Sequence, residues 1–513
     1  MKGMLFAASL MTLMMPIAQA ADLTIGLASS TTSMDPQFYV GGANSAMARN
    51  LFDGLVNQNE KQQIVPALAV SWKAIDDTTW QFALRPNVKF HDGTDFSARD
   101  VVASVKRVAL AAKNSPSAYT PYVADISEIR EINPLTVEIK TKGPAALLLN
   151  NLSRIAILPA RLADQPTEVL NSGKDVIGTG PFKFVSYTPD DKVVLSRNDH
   201  YWGSKAEWDT VTLRVIKNSS ARIAALLSGD VDMIESVPTA DRATIARQQA
   251  FVTESVPGNR ILYLHPDQDR EISPFAKGDD GKNPLRNVAV RQAMSLAINR
   301  DALVERILDG QGLASSQLVP KGYPGYSAHI PAPVYDLKQA KQKLAAAGYP
   351  NGFTLTFHAS NDRYPNDAKI AQALGQMFTQ AGIKTEVVTM PGNVYFAKAA
   401  QREFSLVMGG AAIETGEASG VLGPLLETFG PNAGQGNRGR YSNPEFDKLL
   451  SQARATLNEQ QRDALLQQAS ELAMKEQGVI PLLFLSNTWA MKKGYSYVGR
   501  TDGYTLPYFV HKQ

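Results

Sequence analysis

Apolar residues fall at every second place in ADLTIGLA (Leu23, Ile25, Leu27), and the same alternation recurs in WQFALRPNVKF, LTVEIKTKG, KVVLSRNDHYW, GFTLTFHAS and KTEVVTM. A period of two predicts strands with one buried face, the WQFALRPNVKF strand running as far as Phe90. Elsewhere the period lengthens to that of a helix. RDVVASVKRV carries Val101, Val102, Val105 and Val108 on one stripe. VRQAMSLAINRD does the same with Val290, Met294, Ala297 and Ile298, and NDAKIAQALGQMFTQAG with Ile370, Leu374, Met377 and Phe378. Asp336 predicts the N-cap of LKQAKQKLAAAG, which ends at Gly348 with Pro350 beyond, and Gly382 predicts the stop of the helix that begins near residue 367. GFTLTFHAS, that helix and KTEVVTM therefore form a βαβ unit, and the alternation along the chain argues for mixed α/β lobes with helices packed on sheets. No period of 20 to 50 residues recurs, which excludes solenoids and propellers.

The same patterning decides what FHDGTDFSARDV is. His91 beside Asp92, with Asp95 and Asp100 following, has the look of an acid/base centre. Yet Asp92-Gly93 is turn chemistry, and Ser97 with Asp100 three places on is a capping box at the start of the valine-striped helix. The segment reads as a turn and a helix start, with no catalytic role for His91 and Asp92.

Other enzyme signatures are absent. None of the six histidines (His91, His200, His265, His329, His358, His511) lies three or four residues from another, so a zinc helix of the His-Glu-x-x-His kind is missing. There is no Gly-x-Ser-x-Gly elbow and no Ser-x-x-Lys. With no cysteine, thiol nucleophiles, disulfides and a lipid anchored through cysteine are all excluded. Paired carboxylates for glycoside hydrolysis depend on the fold and stay open. A formal net charge of +3, with Lys and Arg scattered along the chain, excludes a nucleic-acid surface.

At 513 residues the chain exceeds one compact core, and two or three lobes are expected. Its first 20 residues, MKGMLFAASLMTLMMPIAQA, open on Lys2, continue through an apolar run and close on Ala18-Gln19-Ala20. That is the layout of a secretory signal cleaved after Ala20, and an apolar run of roughly 15 residues is too short to span a bilayer. Export without an anchor predicts a freely soluble periplasmic protein.

Five segments, taken in order and spacing, resemble the family 5 extracytoplasmic solute-binding proteins, the peptide, opine and nickel receptors of ABC importers. They are PALAVSWKAIDDTTWQFALRPNVKFHDGTDFSARDVVASVKR, GTGPFKFVSYTPDDKVVLSRNDHYW, ALLSGDVDMIE, LRNVAVRQAMSLAINRDALV and YDLKQAKQKLAAAGYPNGFTLTF. The resemblance implies an α/β fold of the type II periplasmic binding protein, with two main lobes on a hinge plus an extra inserted domain. On this reading domain I comprises residues 21–64, 176–265 and 481–513, domain II residues 65–175, and domain III residues 266–480. It implies a receptor, not an enzyme, which closes on a small charged solute such as a dipeptide, oligopeptide or amino-acid conjugate. The implied partners are that ligand and the inner-membrane permease subunits of an ABC transporter; the chain is expected to be a monomer with no cofactor and no metal. An opine or sugar-type ligand is the first alternative, and a periplasmic hydrolase or a chaperone-like peptide binder the second.

The resemblance also carries site residues. In dipeptide-binding members an arginine in the loop after a domain III strand holds the peptide carboxylate, and here HASNDRYPND supplies Arg363. Its planar fork offers two parallel donors. The carboxylate that holds the peptide amine falls at Glu414 in FSLVMGGAAIETG, with Glu417 as the alternative if the alignment slips by a few residues. Glutamate in place of the family's aspartate moves the charge by about 1 Å, enough to change which cation fits. Tyr39 and Trp489 are implied as aromatic walls, and Asn487 and Thr488 as neutral hydrogen-bonding neighbours.

Overall fold

The computed structural model describes residues 21–513; the predicted signal segment lies outside them. Two long antiparallel strands, Phe251–Pro266 and Ile480–Lys492, run through the middle of a twelve-stranded mixed sheet. On one side the order continues through Met233–Glu235, Asp22–Leu27, Thr210–Val215, Lys192–Arg197 and Phe182–Thr188. On the other it continues through Leu406–Ala412, Thr354–Ser360 and Ala276–Lys277, with Lys384–Met390 and Gly312–Ala314 attached beside this path. A separate four-stranded antiparallel sheet is built wholly from Ala69–Ala74, Thr79–Leu84, Thr136–Thr141 and Ile126–Asn133.

Alternation explains why the long strands join two cores. Ile261 and Tyr263 point to a cluster with Leu318, Leu422 and Phe446, whereas Leu262 and Leu264 point to the opposite cluster with Phe357, Leu374 and Phe378. Trp489 and Met491, at the other end of the pair, belong to a third cluster with Leu23, Trp208 and Leu213. The pairing is not continuous between these ends. From Pro257 to Ile261 one strand advances four residues while its partner advances two, from Ser486 to Phe484, which makes a bulge at Gly258 to Arg260.

The βαβ unit forms as the periodicity predicts: Thr354–Ser360 pairs in parallel with Lys384–Met390, and helix Asp367–Gln380 buries Ile370, Leu374 and Phe378 between them. Gly382 takes φ +102°, and a Cβ on Gly352 would lie 1.8 Å from its carbonyl oxygen, so glycine is required at this crossing. The Asp336 carboxylate caps helix Leu337–Ala346 by accepting from the Gln339 amide at 2.8 Å. One prediction is corrected: the strand that begins at Thr79 ends at Leu84 and does not reach Phe90. Pro86 donates no ladder bond and Asn87 sits at φ +61°, so the chain turns while Val88 and Phe90 stay buried.

His91 shows what the acid-rich turn does. Its Nδ1 accepts the Gly178 amide at 3.2 Å and its Nε2 donates to the Gly180 carbonyl at 3.1 Å, an arrangement that needs the neutral ring. Burial lowers its pKa to about 4. Asp100 accepts from the Ser97 amide at 2.8 Å, which closes the start of helix Ala98–Ala111. Because the folded imidazole resists protonation and the unfolded one does not, its contribution is present above pH 6.5 and is lost as pH falls toward 4. The slope is roughly 1.4 kcal/mol per pH unit. The expected outcome is that His91→Gln flattens the stability curve of the protein between those limits. Parallel denaturation curves for wild type and variant across the window would contradict it.

Candidate functional site

A cavity of about 450 Å³ opens beside the bulge, lined by the segment Glu235 to Ala240, Arg260, Gln311, the loop Arg363 to Asn366, Leu485 to Trp489, and Gly503. Each lining segment is held by the fold. Arg363 leaves the loop after strand Thr354–Ser360, whose backbone is fixed when Asp367 accepts the amides of Arg363 and Tyr364 at 2.9 and 3.2 Å. Its guanidinium lies 5.3 Å from the centre of the Tyr364 ring and has no carboxylate partner among the described residues. Leu485 to Trp489 lie in the strand Ile480–Lys492, opposite the bulge.

Most of the polar groups along this strand are already engaged. The Thr488 hydroxyl donates to Gln311 Oε1 at 3.0 Å, and the Asn487 amide donates to the carbonyls of Arg500 and Thr501, both at 3.0 Å. Trp489 is buried against Tyr497, and its indole N–H donates to Thr505 Oγ1 at 2.9 Å. That hydroxyl in turn donates to Glu235, whose other oxygen accepts the Ala28 amide at 2.8 Å. Burial raises the Glu235 pKa, and Thr505 and Ala28 oppose the rise. These groups shape and stiffen the wall of the cavity.

Of the residues singled out in the sequence, the cavity brings together Arg363, Asn487, Thr488 and Trp489. Glu414, Glu417 and Tyr39 are not among its lining residues. The Glu414 carboxylate, half-exposed, meets Arg154 at 3.0 Å, and Arg154 Nη2 also donates to the Glu414 carbonyl. Asn150 donates to the next carbonyl, that of Thr415, so this loop is gripped from the segment that carries the four-stranded sheet. Glu417 is buried, held by Arg462 Nε at 3.1 Å and by the Ser419 hydroxyl. Tyr39 lays its ring over Gly41 at the foot of helix Gly42–Leu51.

Arg260 is the lining residue that sequence reasoning missed. It is half-buried at the end of the bulge, in register with Ala412 on the neighbouring strand. The available signal was Pro257-Gly258 just before the apolar run ILYLH, since glycine inside a strand pattern marks a bulge.

Comparison with known proteins places this geometry among relatives. The profile described as "Bacterial extracellular solute-binding proteins, family 5 Middle" matches residues 63–433. The glutathione-binding protein GsiB of Pectobacterium atrosepticum is 28% identical over 467 residues, covering 89% of this chain and 87% of the relative. Among solved structures, the periplasmic binding protein DppA of Helicobacter pylori, in complex with the peptide STSA, superposes with a TM-score of 0.75 at 26% identity, covering 96% of this chain and 98% of that one. AgaA of A. tumefacien R10, in complex with agropinic acid, gives 0.72 at 25% identity, with coverage of 96% and 99%. HbpA2 of Haemophilus parasuis gives 0.80 at 25% identity, with coverage of 96% and 100%.

Proposed function

Because this chain belongs to the bacterial extracellular solute-binding proteins of family 5, we propose that it captures a short peptide or amino-acid conjugate in the cavity beside the bulge. The family is one of receptors that deliver solutes to ABC importers, not of enzymes. In this reading residues 21–64, 176–265 and 481–513 form one lobe, 266–480 the facing lobe and 65–175 the insertion. Support comes from the long strand pair Phe251–Pro266 and Ile480–Lys492, which joins clusters on both sides as a hinge would; the clusters cross the outlined bounds where Ala156, Leu158 and Leu170 pack with Leu23 and Trp208, and Leu55 and Val56 with Phe82. The protein works in the periplasm after loss of residues 1–20; the likeness to the periplasmic binding protein DppA supports the location.

The observation that carries the proposal is an arginine with no protein partner in a cavity of ligand size. Arg363 takes the ligand carboxylate by two parallel hydrogen bonds. Glu414 lies outside the cavity lining in this structure and would reach the amine, through the oxygen that Arg154 leaves free, only once the lobes close; the edge of Trp489 contributes apolar wall. Both carboxylates have an arginine partner, but Glu417 is buried between Arg462 and Ser419 whereas Glu414 is half-exposed, so Glu414 is the better candidate of the two. The lobes close because the bound solute favours the closed state by its differential affinity. The closed form then docks on the permease.

Mass spectrometry of the protein purified without denaturation tests this reading. One defined small solute, released intact, is the expected result, with glutathione and tetrapeptides such as STSA the first ligands to titrate. A heterogeneous set of long peptides would favour a chaperone-like binder, and a cleaved solute would favour a hydrolase.

A further inference from the structure

The charge in the cavity is not balanced. Among its lining residues the cations are Arg260 and Arg363, and the one carboxylate is Glu235, which is held by Thr505 and the Ala28 amide. The Arg260 guanidinium, half-buried, makes no hydrogen bond and no ion pair with any described residue, while its backbone stays in register with Ala412. The fully buried arginines of this protein, Arg107, Arg222, Arg291, Arg300 and Arg500, are all engaged; the half-buried Arg242 and Arg438, like Arg260, have no side-chain hydrogen bond or ion pair with the described residues, but neither lines this cavity. Arg107 grips Asp35, Arg291 donates to the carbonyls of Leu285, Arg286, Glu476 and Gln477, and Arg300 to those of Pro481 and Ser295. Arg500 is fixed by Asp502. A half-buried guanidinium without partners gives up part of its hydration with nothing in return, and a second one nearby raises the cost. Burial lowers the Arg260 pKa, and Arg363 adds to the effect while Tyr364 and Glu414 oppose it. Arg260 keeps its register with Ala412 on one side while the bulge breaks its pairing with the strand Ile480–Lys492 on the other, which opens the ladder beside it.

Resting on the receptor reading above, we propose that the solute carries two acidic groups, one bound by Arg363 and the other by Arg260. The ligand class is then a short peptide or amino-acid conjugate with a second carboxylate, not a simple neutral dipeptide. Arg260 sets this preference because its charge is complete only when an anion fills the cavity between the two guanidiniums.

Calorimetric titration of the full mature chain with two matched pairs tests the proposal. The pairs are Ala-Glu against Ala-Gln, and glutathione against its glycine ethyl ester; each contrasts two acidic groups with one at nearly constant size. In each pair that binds, the two-acid member is expected to bind at least about 10-fold more tightly. Arg260→Ala should erase that difference by weakening only the two-acid member, while Arg260→Lys keeps part of it. The apo melting temperature of each variant checks that folding is intact. Equal or reversed preference in the wild type, failure of both two-acid probes to bind, or equal loss for both members of a pair in Arg260→Ala would overturn the proposal. Arg363→Ala separates this from a failure of the receptor reading: weakened one-acid binding in that variant keeps the reading even where the two-acid preference is absent. If no probe binds and the protein purifies without a solute, the reading itself falls.

Discussion

Arg363→Ala is expected to weaken binding of the natural solute by about 10- to 100-fold while leaving the unliganded protein as stable as the wild type. The size follows from what the side chain does. Hydrogen bonds to a charged group contribute about 1.5 to 3 kcal/mol, and about 1.4 kcal/mol is a factor of ten in affinity. The lack of a stability cost follows from what the side chain does not do: no hydrogen bond or ion pair of its guanidinium with the described residues is lost. Only the ring contact with Tyr364 goes, worth about 0.5 to 1 kcal/mol at an exposed site. The loop keeps its shape because its anchor is backbone, the Arg363 amide on Asp367. Arg363→Lys should fall between the two, since an ammonium keeps the charge without the paired donors. Unaltered affinity in Arg363→Ala by titration calorimetry would remove this residue from the site.

The difference between Arg363 and Arg260 shows which parts of the molecule were legible in the sequence. The βαβ unit, the Asp336 cap and the Gly382 stop are specified within a few residues of themselves, and the structure has them where the pattern put them. The Phe90 strand end failed for an instructive reason. Val88 and Phe90 continue the alternation because they are buried in the core, although the backbone has already turned through Pro86 and Asn87. Arg363 could be named because it sits in a loop whose family pattern is local. Arg260 lines a cavity that opens where its strand slips against Ile480–Lys492, far along the chain, and only a glycine hinted at that slip. Asn487 and Thr488 look free in the sequence, yet the fold supplies Arg500, Thr501 and Gln311 to occupy them.

Asp35→Ala is expected to be the most destabilising of the substitutions considered, by about 3 to 5 kcal/mol. Asp35 and Arg107 have fully buried side chains and meet by two parallel bonds, 2.9 Å from Nη1 to Oδ1 and 2.7 Å from Nη2 to Oδ2. Asp35 also accepts the Thr167 hydroxyl at 2.7 Å and the Gln37 amide at 3.0 Å, so one carboxylate ties the N-terminal loop to helix Ala98–Ala111 and to Thr167. Removing it strands a buried guanidinium whose remaining partners are Gln37 Oε1 at 3.3 Å and the Gln165 carbonyl at 3.1 Å. With a slope of a few kcal/mol per molar urea, the first unfolding transition should move down by about 1 M. Adding Arg107→Met to Asp35→Ala should recover most of that loss, because what destabilises the single variant is chiefly the unpaired charge left behind. Neither residue lines the cavity, so the affinity of the folded Asp35→Ala protein for its solute should stay within a few-fold of wild type. A single variant as stable as the wild type, or a double variant worse than the single, would show that this buried pair does not anchor the loop.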